Sequence, residues 1–380
     1  MPTLTTHTDP RLAAATTLLV ALDLGNTSWC LAGAPALSAA PRVRVFPARN
    51  LARLATELAS ARQHFGLAPD APVVLCYEAG RDGFWLQRAC TAVGITALVV
   101  DSSSIEVSRR ARRAKTDRLD ATALLRLLGR YHAGERGHWR VLHVPSVAEE
   151  DRRHLHRELG RLTRERTRAV NQIKGLLAAH GIVLASLRAL PEQLAQLTQW
   201  DGQPLPAGVR ERLLTTWTRL TLVQEQRRTL VKARREQLEQ SADPAVAMVR
   251  QLLRLRGVGE VSAWLFAMEL FSWRRFRNRR EVAGVLGLTA TPSMSGERRR
   301  ELGIGKGGSA VLRGVAMELA WGWLRYQPTS ALSQWYRRRF APGGSRQRRI
   351  GIVAVARRLM IDLWRFVETG RVPEGATLKA

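Results

Sequence analysis

Along the first third of the chain, short unbroken apolar runs alternate with longer segments whose apolar residues recur every three or four positions. Leu18-Leu19-Val20-Ala21-Leu22, Val73-Val74-Leu75-Cys76 and Ala97-Leu98-Val99-Val100 are the short runs, while Leu51 to Phe65 and Phe84 to Val93 have helical spacing. This interleaving predicts an α/β sheet domain over residues 1–145. From Pro145 the pattern becomes charged helix: Leu155, Leu159, Leu162, Arg166, Ala169, Ile173 and Leu176 are spaced alternately by four and three, a heptad-like seam. Breaks at Pro191 and at Asp201-Gly202-Gln203-Pro204-Leu205-Pro206 precede a second charged helix, Val209 to Gln240, with Trp217, Leu220, Val223 and Leu230. Two such helices predict an antiparallel coiled-coil hairpin over 146–245, either a solvated spacer or an oligomerisation arm that also touches nucleic acid. After Asp243-Pro244 the chain reads as helix, Gly257-Val258-Gly259 turn and helix, opening a third, mostly helical domain over 246–380.

Charge changes this picture more than composition does. Lysine and arginine total 60 against 32 acids, a net charge of +28, with only five lysines. Residues 1–100 carry only +2 of that charge, so the basic surface belongs to the later regions. Such a field selects a polyanionic partner and argues against a small-molecule kinase. Some 6 to 10 phosphate contacts would cost roughly 10³ to 10⁵ in affinity between 50 and 200 mM salt. Cys30, Cys76 and Cys90 show neither C-x-x-C spacing nor a disulfide framework, which points to a reducing cytoplasm. The run Leu12 to Leu22 lacks a basic leader, is too short to span a bilayer and reads as a buried strand, so no membrane partner is expected.

Candidate chemistry starts at the strand ends. Asp23 closes the first strand and Glu78 the strand from Val73, so in a parallel sheet both project at the carboxyl edge, where open α/β sheets place their sites. Lys115-Thr116-Asp117-Arg118-Leu119-Asp120-Ala121 opens a helix, and a spacing of three puts Asp117 and Asp120 on one face. Four converging carboxylates repel one another unless cations neutralise them, and hard oxygen ligands suit Mg²⁺ or Mn²⁺. The alternative is local: Asp117 as N-cap and Asp120 at the third helical position would satisfy free amides and the helix dipole. Asp23-Leu24-Gly25-Asn26-Thr27 also matches the D-x-G-x-T phosphate turn of sugar-kinase and actin-like ATPases, which share a ribonuclease-H-like core and so do not separate the two chemistries.

In the C-terminal region Ser295 stands beside glycine ahead of Arg298, Arg299 and Arg300. It is a nucleophile for a phosphodiester if exposed and flanked by cations, or else a turn residue. Gly303-Ile304-Gly305-Lys306-Gly307-Gly308-Ser309 reads as a flexible loop opening the helix that carries Arg313, without Walker spacing. Gly257 and Gly259 resemble the helix-hairpin-helix turn that grips a DNA phosphate, or a helix C-cap. Trp321, Trp323, Trp335 and Trp364 suit base stacking or, with interspersed leucines, a core. The eight histidines show no ligand pattern.

The order of these motifs resembles the DEDD transposases of bridge-RNA-guided insertion sequences, over nearly the whole chain. Lys115 to Ala121 fits the family's K-T-D-x-x-D-A, and its first Asp and its Glu fall on Asp23 and Glu78. The Ser-Gly and G-I-x-K-x-G-N-x-x-L-R signature is met by Ser295-Gly296 and Gly303 to Arg313, with Ser309 in place of Asn. The usual D-x-S-K and E-A-T-G are here Asp23-Leu24-Gly25-Asn26 and Glu78-Ala79-Gly80, which leaves the acids but not the Lys and Thr. The resemblance implies a RuvC-like N-terminal domain whose Asp23, Glu78, Asp117 and Asp120 bind Mg²⁺, and a C-terminal transposase domain whose Ser295 forms a covalent 5′-phosphoserine. Ser293 is the competing nucleophile; Ser295 is preferred because the family's serine directly precedes glycine. It further implies target and donor DNA, a noncoding bridge RNA that carries the specificity, a homodimer or homotetramer, and a bacterial, nucleoid-associated setting. Gly257, Gly259, Arg298, Arg299, Arg300, Lys306 and Arg313 are the expected nucleic-acid contacts. The alternatives are a metal-dependent resolvase-type nuclease in which Ser295 is structural, and a noncatalytic nucleic-acid-binding protein.

Overall fold

The computed structural model describes residues 17–105, 116–295, 298–305 and 307–379, with the side chains of 291–302 outside that description. The chain divides into two compact units, Met1–Pro145 and Ser146–Ala380. The helical arm and the C-terminal helices thus share one unit.

The first unit is built on five strands: β1 Leu18–Leu24, β2 Ser28–Ala34, β3 Arg42–Pro47, β4 Val73–Glu78 and β5 Thr96–Val100, in the order β3-β2-β1-β4-β5. β1, β4 and β5 are parallel, and β2 runs antiparallel to both of its neighbours. Alternate residues serve opposite faces. Leu18, Val20 and Leu22 join Leu75 and Tyr77 in a core shared with Leu54 and Leu58 of α1 (Leu51–His64) and Leu86 and Cys90 of α2 (Trp85–Ala92). Leu19 and Ala21 join Cys30 and Cys76 under Ala121, Leu124 and Leu128 of α3 (Asp117–His132). Burial on both faces is why the central strands read as unbroken apolar runs. The expected interleaving missed β2 and β3. Ser28–Ala34 is too rich in small residues, and Arg42–Pro47 too short and basic, to stand out as strands without the partner that pairs them.

The second unit opens with α4 (Val147–Asp151), α5 (His154–Ala178), α6 (Leu190–Gln193) and α7 (Ala207–Gln240). The 2.6 Å ion pair between Arg152, before α5, and Asp243, after α7, fixes these two long helices as antiparallel. Leu159, Leu162, Ala169, Ile173 and Leu177 are the buried seam of α5. Its last position is Leu177 rather than the expected Leu176, because a straight helix drifts off a strict seven-residue repeat. Arg166, on the expected seam, is exposed.

There follow α8 (Pro244–Leu253), α9 (Glu260–Phe266) with a π-helical turn at Ala267–Phe271, α10 (Arg279–Val285), the strands β6 (Ala290–Ser295) and β7 (Arg298–Ile304), α11 (Ala310–Tyr326), α12 (Ala331–Arg339) and α13 (Ser345–Thr369). Trp264, Phe266, Trp323, Leu359 and Phe366 are among the fully buried residues of the core beneath them. The antiparallel β6–β7 hairpin stands within the mostly helical region expected there, and was itself not expected: Pro292 and three consecutive arginines mask a strand pattern.

The chain end is tied down by one buried amide. Gln327, with no exposed surface, donates through Nε2 to the carbonyls of Arg256 at 2.8 Å and Thr377 at 2.7 Å, and its Oε1 accepts from the Thr377 N–H at 2.7 Å. The Lys379 N–H adds a bond to the Arg254 carbonyl and its Nζ one to the Val258 carbonyl. The tail and the Gly257–Gly259 turn are therefore fastened to each other. Among the described residues no helix is long and apolar enough to cross a membrane.

Candidate active site

Residues 55 apart in sequence become neighbours because β1 and β4 pair in parallel, with Leu22 opposite Tyr77. Asp23 and Glu78 follow these two residues and continue the rows of Leu19 and Ala21 and of Val74 and Cys76, the face covered by α3. α3 begins over that same face. Asp117 precedes Ala121 by four residues and Leu124 by seven, and Asp120 precedes Leu124 by four, so both acids extend the buried stripe of α3 toward its N-terminus. Asp23 is half-buried, and the other three acids are exposed.

The Cys30 thiol reports on this arrangement. It is paired in register with Asp23. Burial raises its pKa, and the negative charges of both Asp23 and Asp117 raise it further, against a smaller opposing effect of Arg118. Asp23 and Asp117 thus act on one point from strand and helix. The N-cap of α3 is Thr116, whose hydroxyl accepts from the Leu119 N–H at 3.3 Å. The local alternative is thus corrected as to the cap, while its other half holds: Asp117 and Asp120 both stand in the first turn, where the helix dipole favours negative charge. Among the described residues no three of His, Cys, Asp and Glu are grouped closely enough to hold a metal ion. The donor set itself consists of hard carboxylate oxygens, suited to an ion that keeps water and takes substrate phosphate oxygens as its other ligands.

Two residues not singled out in the sequence set the loops that follow these acids. Arg49 sits at φ 63°, unusual for a residue with a Cβ, and donates to the Asn26 carbonyl at 3.2 Å and to the Asp82 carboxylate at 2.8 Å. It joins the β1–β2 turn to the loop after Glu78. Tyr77 donates its hydroxyl to the Gly83 carbonyl and accepts from the Gln87 N–H; burial, opposed by that Gln87 bond, pushes its pKa up to about 12. No local pattern marks either residue, since both act across loops. Gly25 of the D-x-G-x-T match is explained by close approach: a Cβ there would lie 2.4 Å from the Ser28 carbonyl oxygen.

In the second unit Ser295 is the last residue of β6, in register with Arg298 at the start of β7, while Ser293 is opposite Arg300. The serine therefore ends a strand; the connection at 296–297 lies outside the described residues, as does Lys306. Arg299 pairs with Met294 on the same hairpin. The glycine loop that follows is held tightly rather than loosely. Gly308 has φ +84° and a Cβ there would meet the Val285 carbonyl at 2.2 Å, while the Ser309 N–H donates to that carbonyl at 3.2 Å. Ser309 caps α11 by accepting from the Leu312 N–H, a task Asn would perform equally well, so the departure from the family signature is chemically small. Arg313 is half-buried and donates to the Leu286 carbonyl at 3.3 Å. Gly257 lies in a turn closed by the Val258 N–H on the Leu255 carbonyl, not at the cap of α8; at φ +89° it has Tyr326 within 3.0 Å of the Cβ it lacks. Gly259 is the N-cap residue of α9, with open space around its Cβ position. Trp323 belongs to the core, whereas Trp321 is exposed.

Carboxylates at the strand ends of an α/β unit, followed by a strongly basic helical unit with a serine at a strand terminus, are attributes of a transposase. The comparisons agree. Residues 249–356 match the model of the transposase IS116/IS110/IS902 family. A putative transposase, y4rJ, of Sinorhizobium fredii is 38% identical across 95% of this chain and 94% of its own length. A probable family 20 transposase of Pseudomonas aeruginosa is 28% identical across 78% and 83%, and the transposase for insertion sequence element IS1328 of Yersinia enterocolitica 24% across 71% and 77%. The chain belongs to the IS116/IS110/IS902 transposase family.

Proposed function

We propose that this transposase is an RNA-guided DNA recombinase of an insertion sequence, using Mg²⁺ or Mn²⁺ and a covalent phosphoserine. The observation that carries the reading is that Asp23 and Glu78, at the ends of adjacent parallel strands, continue the sheet face covered by α3, whose first turn bears Asp117 and Asp120. The strand order with a single reversed strand, β2, supports a ribonuclease-H-like, RuvC-like catalytic unit. Divalent ions drawn to these acids would offset part of their negative charge and polarise the scissile phosphate.

The chain's own residues supply the rest. The Ser295 hydroxyl would attack phosphorus and give its proton to a solvent water, the P–O bond to the 3′ oxygen would break, and that oxygen would take a proton back from solvent and leave as the 3′ hydroxyl. The 5′ phosphate stays esterified to Ser295, so rejoining needs no external energy. Arg298, in register with Ser295, and Arg300, in register with Ser293, share the serine's row of the hairpin and would stabilise the pentavalent phosphorus, whereas Arg299 falls in the alternate row. With specificity in a guide RNA, a basic surface that grips backbones suffices for the protein. Dimer or tetramer assembly through the α5–α7 arm belongs to the same reading.

The test combines two variants. Ser295→Ala should abolish strand exchange and the DNA adduct that survives denaturing electrophoresis while sparing nucleic-acid binding. Asp23→Asn should abolish Mg²⁺-dependent cleavage. Cleavage that persists in the first variant but not the second leaves a metal-dependent nuclease; nucleic-acid binding without cleavage in the unaltered protein, unchanged in both variants, leaves a binding protein. Sequencing of nuclease-protected RNA that copurifies should yield one discrete species encoded beside the gene; heterogeneous RNA would refute guidance.

A further inference from the structure

The second unit contains a cavity of about 670 Å³ between α10, α12, α13 and the chain end. It lies within the roughly 300 to 1,000 Å³ typical of a small-ligand site, room for one nucleotide. One stripe of α13, at spacings of four and three, supplies Ala354, Arg358, Ile361 and Arg365, with Arg357 beside it; Arg279 comes from α10 and Arg371 from the tail. Five arginines face two carboxylates, Asp362 and Glu374, leaving three positive charges net. Arg365 stands 3.7 Å from Asp362. Among the described residues Arg279, Arg357 and Arg371 have no carboxylate within ion-pair distance.

The remaining lining is apolar and aromatic. The Arg358 guanidinium lies over the Trp335 ring at 4.2 Å, a layered planar surface on which a base can stack. Leu332, Ile361, Val372 and Pro373 complete that wall. Burial pushes the Asp362 carboxyl above its ordinary range, with Arg365, Arg358 and Arg371 opposing, so a group beside it that donates hydrogen bonds is favoured. Cations for a phosphate, a stacking surface for a ring and a carboxyl for a base's amino edge occur together within one enclosure.

We propose that this cavity takes up a single unpaired nucleotide from a nucleic-acid strand. The inference rests on the nucleic-acid reading above but adds to it: the basic surface includes one half-open site that distinguishes an extruded or single-stranded nucleotide from duplex backbone. The tail fastened by Gln327 forms one wall, which gives that buried amide a place in function.

The probes are short ribo- and deoxyribo-oligonucleotides carrying one 2-aminopurine, together with a duplex of the same length. Binding is followed by anisotropy and stacking by 2-aminopurine fluorescence. Arg357→Gln combined with Arg371→Gln should weaken single-strand binding by at least about tenfold, the scale of lost charge-assisted contacts, while duplex binding falls only about two- to threefold. Arg358→Lys, which keeps the charge but loses the plane, should abolish the 2-aminopurine change. The better of the two oligonucleotides identifies whether RNA or DNA supplies the nucleotide. Retained duplex binding and an unchanged melting curve show that the variants are folded. Equal losses on single strand and duplex would overturn the proposal, as would single-strand binding to the unaltered protein with no change in 2-aminopurine fluorescence. If the unaltered protein binds the duplex but not the single strand, the cavity proposal alone fails; if it binds neither, the underlying reading fails with it.

Discussion

Replacing Gln327 by leucine keeps nearly the same volume and removes the three hydrogen bonds that fasten the chain end. Two of the affected groups, the Arg256 carbonyl and the Thr377 N–H, lose the partner described here, whereas the Thr377 carbonyl still accepts from the Arg256 N–H at 3.1 Å. A net hydrogen bond is worth about 0.5 to 1.5 kcal/mol, which sets a range of roughly 1.5 to 4.5 kcal/mol for three. Arg256 and Thr377 are both exposed residues, so water partly replaces the lost partner, and the expected cost is about 2 to 3 kcal/mol. In a unit of this size each kcal/mol lowers Tm by roughly 2 to 4 °C, giving a fall of about 4 to 12 °C in a calorimetric or fluorescence melt. Hydrogen exchange supplies the local check, because the amides of Thr377 and Lys379 should lose protection before those of α11 do. A stability loss below about 0.5 kcal/mol with the Thr377 amide still protected would refute the view that this amide holds the tail.

Acid stability depends on Glu269. Burial by itself would raise that carboxyl, but hydrogen bonds from His156 at 2.9 Å and Arg157 at 2.5 Å outweigh it and hold the pKa down at about 2, below the ordinary 4.5. A folded-state pKa below the unfolded one stabilises fully above pH 4.5 and loses that contribution as pH falls toward 2. The amount is at most about 3 kcal/mol, and Glu269→Gln should remove this part of the acid-unfolding profile; an unchanged profile would contradict the assignment. Gly25→Ala places a Cβ 2.4 Å from the Ser28 carbonyl, so the β1–β2 turn must shift, with a loss of about 2 kcal/mol in denaturant unfolding and reduced cleavage; wild-type stability would show the turn to be pliant. Thr116→Val removes the cap of α3 at a cost of about 1 kcal/mol, and Mg²⁺-dependent cleavage should fall with it because Asp117 and Asp120 ride on that first turn. Full cleavage activity in this variant would place the two acids outside the chemistry.

Much of this molecule is legible from neighbours along the chain. Leu18 to Leu22, Leu51 to Phe65 and Val73 to Cys76 each predict an element found within two residues of its bounds, because a buried strand or an amphipathic helix advertises itself in its own periodicity. The two long arm helices are equally plain. β2, β3 and the β6–β7 hairpin are not, since small residues, a proline and clustered arginines become strands only when a partner strand supplies their hydrogen bonds. At the candidate site, the four acids and Ser295 stand out by residue type and family resemblance, while Arg49, Tyr77 and the Thr116 cap do not.

Residue type, local spacing and net charge are one-dimensional properties, and the sequence alone therefore determined the α/β opening, the helical arm, the basic character and the candidate acids. Tertiary structure decided the rest, because it depends on separations that no local window contains. Pairing of β1 with β4 puts Asp23 and Glu78 at the ends of adjacent strands, and packing of α3 on that face sets its first turn, with Asp117 and Asp120, over the same side of the sheet. Enclosure is decided in the same way: Arg279, Trp335, Arg358 and Arg371 line one cavity only because α10, α12, α13 and a tail fastened through Gln327 converge on it.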